Sequence, residues 1–205
     1  KCSFLLKIME KKLKILAAAD LHGNLELSKR LANRALEEQV DLVIIAGDIN
    51  DYHDTTENIF DPFREAGKKV VFIPGNADSL EEHLLLGQKA KSIHDYYVSY
   101  GGIGITGIGN SDWKLSFDEY DFGIIERNFK KMKHEKKILV SHLHAKDLIF
   151  ERLGFYGDEI LRNAVEQFQP DILISAHIHE IEGLEDTIGK TRVVQVGRSG
   201  TILEI

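Results

Sequence analysis

The sequence predicts an α/β fold, and two observations predict it. From residue 13 to about residue 88, short apolar runs alternate with segments of helical periodicity. Each apolar run also stops abruptly at a polar turn, as a buried strand does where it leaves a sheet. Strand, helix, strand, helix, strand, helix in that order implies parallel strands joined by right-handed crossovers.

The elements follow in order. Residues 13–19 read as a buried strand that ends in Asp20-Leu21-His22-Gly23-Asn24, and Asn24 can cap the next helix. Leu25, Leu27, Leu31, Ala32, Ala35 and Leu36 keep helical spacing through Glu38. A second strand, Leu42–Ala46, ends in Gly47-Asp48, and a polar loop runs from Ile49 to Thr55. A helix is expected over Thr56–Ala66, with Gly67 as its stop. The third strand, Val70–Ile73, ends in Pro74-Gly75-Asn76-Ala77-Asp78, and Asp78 or Ser79 can cap a helix through about Gln88.

The pattern then changes. Ile93–Ser99, a Gly101-Gly102 turn and Ile103–Ile108 read as a hairpin, and residues 110–117 as a loop around Trp113. A helix is expected over Asp118–Lys133 and a strand over Ile138–Val140, ending in Ser141-His142-Leu143-His144. A helix over Asp158–Phe168 stops before Pro170, and the strand Ile172–Ser175 ends in Ala176-His177-Ile178-His179. In the tail Ile181–Leu184, Arg192–Val196 and Thr201–Ile205 are strand-like. Residues 13–205 are taken as one domain behind an N-terminal extension, residues 1–12, in which Met9 is a candidate translation start.

The chain has 205 residues, 43% of them hydrophobic and 29% charged, enough for a sizeable core. A formal net charge of -7 disfavours non-specific nucleic-acid binding, which wants a basic surface. The single cysteine, Cys2, excludes an intrachain disulfide and thiolate metal clusters. No apolar run approaches a membrane span and no signal-peptide pattern opens the chain, so a cytoplasmic location is expected. A homo-oligomer is compatible with these features. The basic run Lys130–Lys137 reads as a solvated helix end.

Five apolar runs are each followed at once by residues able to ligate a metal: Asp20 and His22, Asp48, Asn76, His142, then His177 and His179. In open α/β sheets, sites form at the carboxyl ends of the strands. Taken singly, each feature has a plain structural explanation: Gly-Asp is a turn, Asn a turn former, a strand-end histidine a hydrogen-bonding residue. The pairs D-x-H and H-x-H say more, because residues two apart share a face of an extended chain. Four histidines, two aspartates and an asparagine form a mixed nitrogen and oxygen set that suits Mn, Fe, Co, Ni or Zn rather than Ca or Mg. Seven ligands are too many for one ion and suit two, with Asp48, alone on its loop, as the bridge. Two divalent cations would outweigh the two aspartates, which matches an anionic phosphoryl substrate and a water of lowered pKa.

The blocks DLHGN, AGDIN, PGNAD, VSHLH and AHIHE, spanning residues 20 to 180, resemble the calcineurin-like metallophosphoesterases, whose pattern is D-x-H, G-D, G-N-H-[DE], H, G-H-x-H. The run AHIHEIEGLEDTIGKTRVVQVG looks most like the small prokaryotic phosphoesterases of that superfamily. The resemblance implies two facing mixed sheets flanked by helices, a four-layer α/β/β/α sandwich. It implies one ion held by Asp20, His22, Asp48 and His179 and another by Asp48, Asn76, His142 and His177. The ions would be Mn, Fe, Ni or Zn, with Mn favoured. The activity implied is hydrolysis of a small phosphodiester or phosphomonoester, with a metal-bridging hydroxide as nucleophile.

The sequence departs from the pattern at Ala77, where the family often has a histidine that assists the leaving group, and at Ala176, usually glycine. Asn76, Asp78 and His144 are the candidate catalytic residues, with His53 a further candidate or a solvated loop residue. Loss of general acid help, typically worth 10²–10⁴-fold, favours diesters with good leaving groups. Arg198 and Ser199 could meet phosphate or form a surface turn; Trp113, Tyr96, Tyr97 and Tyr100 could line a cleft or pack the core. Some relatives are protein-binding scaffolds with eroded sites, but all seven ligand positions are intact here. An amidohydrolase would carry H-x-H on an early strand of a long barrel, and the metallo-β-lactamase signature H-x-H-x-D-H is absent.

Overall fold

The structure, a computed structural model, describes residues 12–51 and 57–205. The extension before Lys12, Met9 within it, and His53 lie outside the described residues.

The first half lays down β1 (Lys14–Ala18), α1 (Leu25–Glu37), β2 (Leu42–Ala46), α2 (Asp61–Glu65), β3 (Val70–Ile73), α3 (Leu80–Leu86) and the two-residue β4 (Lys91–Ser92). Asn24 accepts the Leu27 amide at 2.9 Å and caps α1. Ser79 caps α3 in a reciprocal box with Glu82. The helix expected over Thr56–Ala66 is shorter. Its described part begins at Asp61, because Pro62 lacks an amide hydrogen and fits only a first turn.

The second half supplies β5 (Tyr97–Tyr100), β6 (Ile103–Ile108), α4 (Glu119–Lys131), β7 (Lys137–Ser141), α5 (Glu159–Phe168), β8 (Ile172–Ser175), β9 (Glu185–Ile188), β10 (Thr191–Gln195) and β11 (Thr201–Glu204). Of the strand expected over Ile93–Ser99 only the end is strand, as the start of β5 at Tyr97, while the preceding β4 (Lys91–Ser92) belongs to the other sheet. β4 pairs with β3, whereas β5 pairs with β6. Between them Asp95 takes a left-handed φ of 64°, a conformation aspartate tolerates better than most residues, so the chain changes sheets without a glycine to mark it. The strand expected over Ile181–Leu184 is also displaced. Residues 179–181 form a 3-10 turn, and the strand is the polar segment Glu185–Ile188 at the sheet edge.

One sheet has the order β11-β1-β2-β3-β4, the other β5-β6-β7-β8-β10-β9. Strands β1 to β4 run parallel and β11 antiparallel to β1; β6, β7, β8 and β10 run parallel, with β5 and β9 antiparallel at the edges. Both sheets are therefore mixed. The period-2 alternation of each strand builds the layers. Ile15, Ala17, Leu42, Ile44 and Ile73 meet Ile105, Ile138, Val140, Ile174 and Val194 between the sheets. The intervening residues Leu16, Val43, Ile45 and Phe72 face Leu31, Ala35, Phe63 and Leu86 of the first helices. Leu139, Leu173 and Val193 face Ile124, Ile125, Phe129, Leu161 and Val165 of α4 and α5. The result is the expected helix, sheet, sheet, helix sandwich. The central strands of both sheets are covered on two faces, which is why they read as unbroken apolar runs. No helix among the described residues is long and apolar enough to cross a membrane.

Candidate metal centre

The site is built where β1, β2, β3, β7 and β8 end. Backbone bonds lace the strand-end loops together: the Asp20 amide donates to Gly47 O at 3.1 Å, His22 to Asp48 O at 3.0 Å, and Ala176 to His142 O at 3.0 Å. Two groups result. Asp20, His22 and His179 bring one ligand atom each within 4.8 Å of one another, and so do Asp48, His142 and His177. Asn76 joins the second group, its Oδ1 3.1 Å from His142 Nε2. Asp48 faces both: Oδ1 lies 3.3 Å from His142 Nε2 and Oδ2 lies 3.8 Å from His22 Nε2.

The pairing within D-x-H does not use the extended repeat that the sequence suggests. Asp20, His22, Asp48 and His177 sit at φ of 57°, 45°, 49° and 72°. The strands have already ended, and left-handed turns aim these side chains into one volume. Such conformations cost of order 1–3 kcal/mol each and persist where the surroundings over-determine them. Glycine is required beside them. A Cβ on Gly75 would fall on the Asp48 carboxylate, and one on Gly47, at φ 96°, would come within 2.5 Å of His142 Nδ1.

The electrostatics fit cations. Asp20 is 1% exposed, and neither of its carboxylate oxygens has a hydrogen-bond partner among the described residues. Burial raises its pKa, against the pull of His142. An uncompensated buried carboxylate is costly unless paired or ligating. His142 Nδ1 lies 2.8 Å from Ala46 O. A carbonyl only accepts, so Nδ1 carries the hydrogen and Nε2 is turned toward Asp48 and Asn76, the tautomer a ligating imidazole needs. Burial disfavours charge on both Asp48 and His142. Their mutual attraction outweighs it, holding the carboxyl below and the imidazole above their usual ranges. Burial and the neighbouring His142 push His177 down to about 4, leaving it neutral. A cation entering the second group would displace the His142 proton.

A family profile for calcineurin-like phosphoesterases matches residues 13–180. The chain belongs to that family. Its phosphoesterase pattern and the two ligand groups occupy the same stretch, from Asp20 to His179. No curated protein matches the chain. Among solved structures, the protein TT1561 of Thermus thermophilus superposes with a TM-score of 0.76 at 16% identity, covering 95% of each chain. A dimetal phosphatase from Danio rerio gives 0.64 at 14% identity, covering 91% of this phosphoesterase and 88% of that chain. Phosphopantetheinyl hydrolase from Mycobacterium tuberculosis gives 0.56 at 13% identity, covering 92% and 90%. At such identities the likeness is one of fold.

The other candidates of this phosphoesterase fall elsewhere. Asp78 is buried behind the groups, accepting backbone amides from Ile49, Asn50 and Gly75. Burial pushes its pKa up to about 7, opposed by those donors, which favour the carboxylate. Ala77 is buried and donates its amide to Asp48 Oδ1 at 2.9 Å. His144 belongs to neither group. Its Nε2 lies 3.3 Å from Phe155 O, so that nitrogen carries the hydrogen and donates it to the carbonyl. The ring lines a cleft beside His177. The turn with Arg198 and Ser199 is pinned by Arg34, whose Nη1 donates to Ser199 O and Gly200 O at 2.6 and 2.8 Å. Tyr100 hydroxyl donates to Asp41 O, at the opposite end of the strands. Two supports escape sequence reasoning. Trp113 donates its amide to Asn76 O at 2.9 Å. Gln195 accepts Ser175 Oγ at 2.8 Å and donates to Ala176 O, fixing the strand end that carries His177. Neither has a sequence signal, since one is a backbone contact and the other a lone amide in an apolar strand.

Proposed function

We propose that this chain is a phosphohydrolase that works with two divalent transition-metal ions, manganese, iron, nickel or zinc, on small phosphodiesters in preference to monoesters. The observation that carries this reading is the Asp48 carboxylate, whose two oxygens face different histidines between the two ligand groups. Asp20, His22, Asp48 and His179 would hold one ion; Asp48, Asn76, His142 and His177 the other. Bound there, such ions neutralise phosphoryl oxygens and acidify water.

The chain's own residues do the rest. Asp78 and Ala77 fix the loop of Asp48 against the loop of Asn76. Ala46 O fixes the His142 tautomer. The family's histidine is absent at Ala77, so no imidazole from that loop assists the leaving group, and esters whose leaving group departs unaided are favoured. His144 donates its Nε2–H to Phe155 O, which suits a cleft wall better than a proton donor.

The test is elemental analysis of metal-reconstituted protein with hydrolysis of bis(4-nitrophenyl) phosphate. About two ions per chain are expected, with activity lost in Asp48→Ala and His177→Ala. Absence of bound metal, or unchanged rates in both variants, overturns the reading.

A further inference from the structure

We infer that the cleft beside His177 receives the leaving group of the ester and selects uncharged, apolar or aromatic ones. This deepens the phosphoesterase reading above and rests on it. The cleft has a volume of about 330 Å³ and lies between the loop through Leu115 and the segment from Leu143 to Ile160, with His177 at one end. It shares His177 with the second ligand group. A volume of this size, at the lower end for small-molecule sites, suits one aryl or nucleoside-sized group.

The charge inventory decides what enters. Among the described residues no lysine or arginine lines the cleft, and its two carboxylates are both engaged. Asp158 accepts the Leu161 amide at 2.7 Å and the Phe117 amide at 2.8 Å. Glu159 pairs with Lys146 at 3.0 Å. A second phosphate or a carboxylate on the substrate would face these two carboxylates, and the nearby cation Lys146 is already paired with Glu159. The groove at the opposite end of the strands is the reverse: Arg64, Lys68, Lys69, Lys89 and Lys91 line it and no acid among the described residues does. The basic groove of this acidic chain is thus placed away from the cleft.

The walls mix polar and apolar surface, with Leu115 and Tyr156 supplying exposed apolar groups. Leu115 is 63% exposed and Tyr156 82% exposed, so two large side chains stand in water at the mouth. Leu143 and Ile178 continue the lining inward, with Ser116 and His144 as the polar groups that can orient a neutral substituent. Covering Leu115 and Tyr156 with a flat ring recovers apolar burial that the free protein lacks.

The experiment compares phenyl 4-nitrophenyl phosphate with its analogue carrying a carboxylate on the nitrophenyl ring, using metal-loaded protein. The expected result is kcat/KM about 10-fold higher for the neutral ester, the scale of one unfavourable charge contact. Leu115→Lys, at an exposed position, is expected to bring the two esters to within about twofold by raising the rate on the charged one. Equal hydrolysis of both esters by the parent protein overturns the inference while the phosphoesterase reading stands. Unchanged discrimination in Leu115→Lys also overturns it. Hydrolysis of neither ester overturns the phosphoesterase reading and this inference with it.

Discussion

Asp78 holds the backbone amide of Ile49 with both carboxylate oxygens, at 3.0 and 3.1 Å. Ile49 adjoins Asp48, and Asp48 Oδ1 accepts the amide of Ala77, which adjoins Asp78. Each aspartate therefore grips the other's loop. One faces the ligand groups, and the other, also bonded to the Asn50 and Gly75 amides at 2.8 Å, is sealed behind them.

Asp78→Ala would strand the Ile49, Asn50 and Gly75 amides in a buried site. Each unsatisfied donor costs about 1–3 kcal/mol, so a loss of about 3 kcal/mol or more is expected. In a chain of this size that lowers Tm by about 6–12 °C. Thermal unfolding of the metal-stripped protein measures it. A shift under about 2 °C would show that the two loops are held by other means.

Asp20 gives a prediction of opposite sign. Its carboxylate is buried, without a hydrogen-bond partner among the described residues, and set at a left-handed φ that asparagine tolerates well. Without metal, Asp20→Asn replaces a buried charge, approached by His179 at 3.6 Å but not hydrogen-bonded to it, with a neutral group of the same shape, so the metal-stripped variant is expected to be more stable by about 1 kcal/mol or more. With saturating metal the order should reverse, because ligand binding stabilises only the protein that retains the site. Melting curves of both proteins with and without added metal test this. A variant that is less stable in both conditions contradicts the account.

The grouping of candidate ligands was legible because metal chemistry restricts residue type, and strand ends are marked by the change from apolar run to polar turn. Asp20, His22, Asp48, His142, His177 and His179 could be read that way, and the structure groups them as three and three. The sandwich came with the family motif, since alternation alone implied parallel strands without dividing them between sheets. The split of β4 from β5 was not legible: Asp95 makes the left-handed turn that glycine would have announced. Nor was β9, because Glu185-Asp186-Thr187 is edge strand by pairing and not by hydropathy. Asp78 is recognisable as a motif residue. Its staple is visible only when the loops after β2 and β3 lie side by side.

His83 supplies a pH dependence away from the ligands. It is buried on α3, its Nε2 2.9 Å from Ser92 Oγ and its Nδ1 without a hydrogen-bond partner among the described residues, packed on Phe72 and edge-on to His94. Burial, with His94 adding to it, pushes its pKa down to about 4 from an ordinary 6.5. The folded protein therefore binds fewer protons than the unfolded chain between these values, and stability rises with pH across that window. The contribution is complete above about pH 6.5 and lost as pH falls toward 4, amounting to about 2 kcal/mol by pH 5. His83→Leu keeps an apolar side chain in the site and removes the titration. Urea unfolding of metal-stripped protein at pH 7 and pH 5 should show the parent losing about 2 kcal/mol more than the variant, the remaining histidines being common to both. Parallel losses would mean that His83 is protonated at little cost in the folded state.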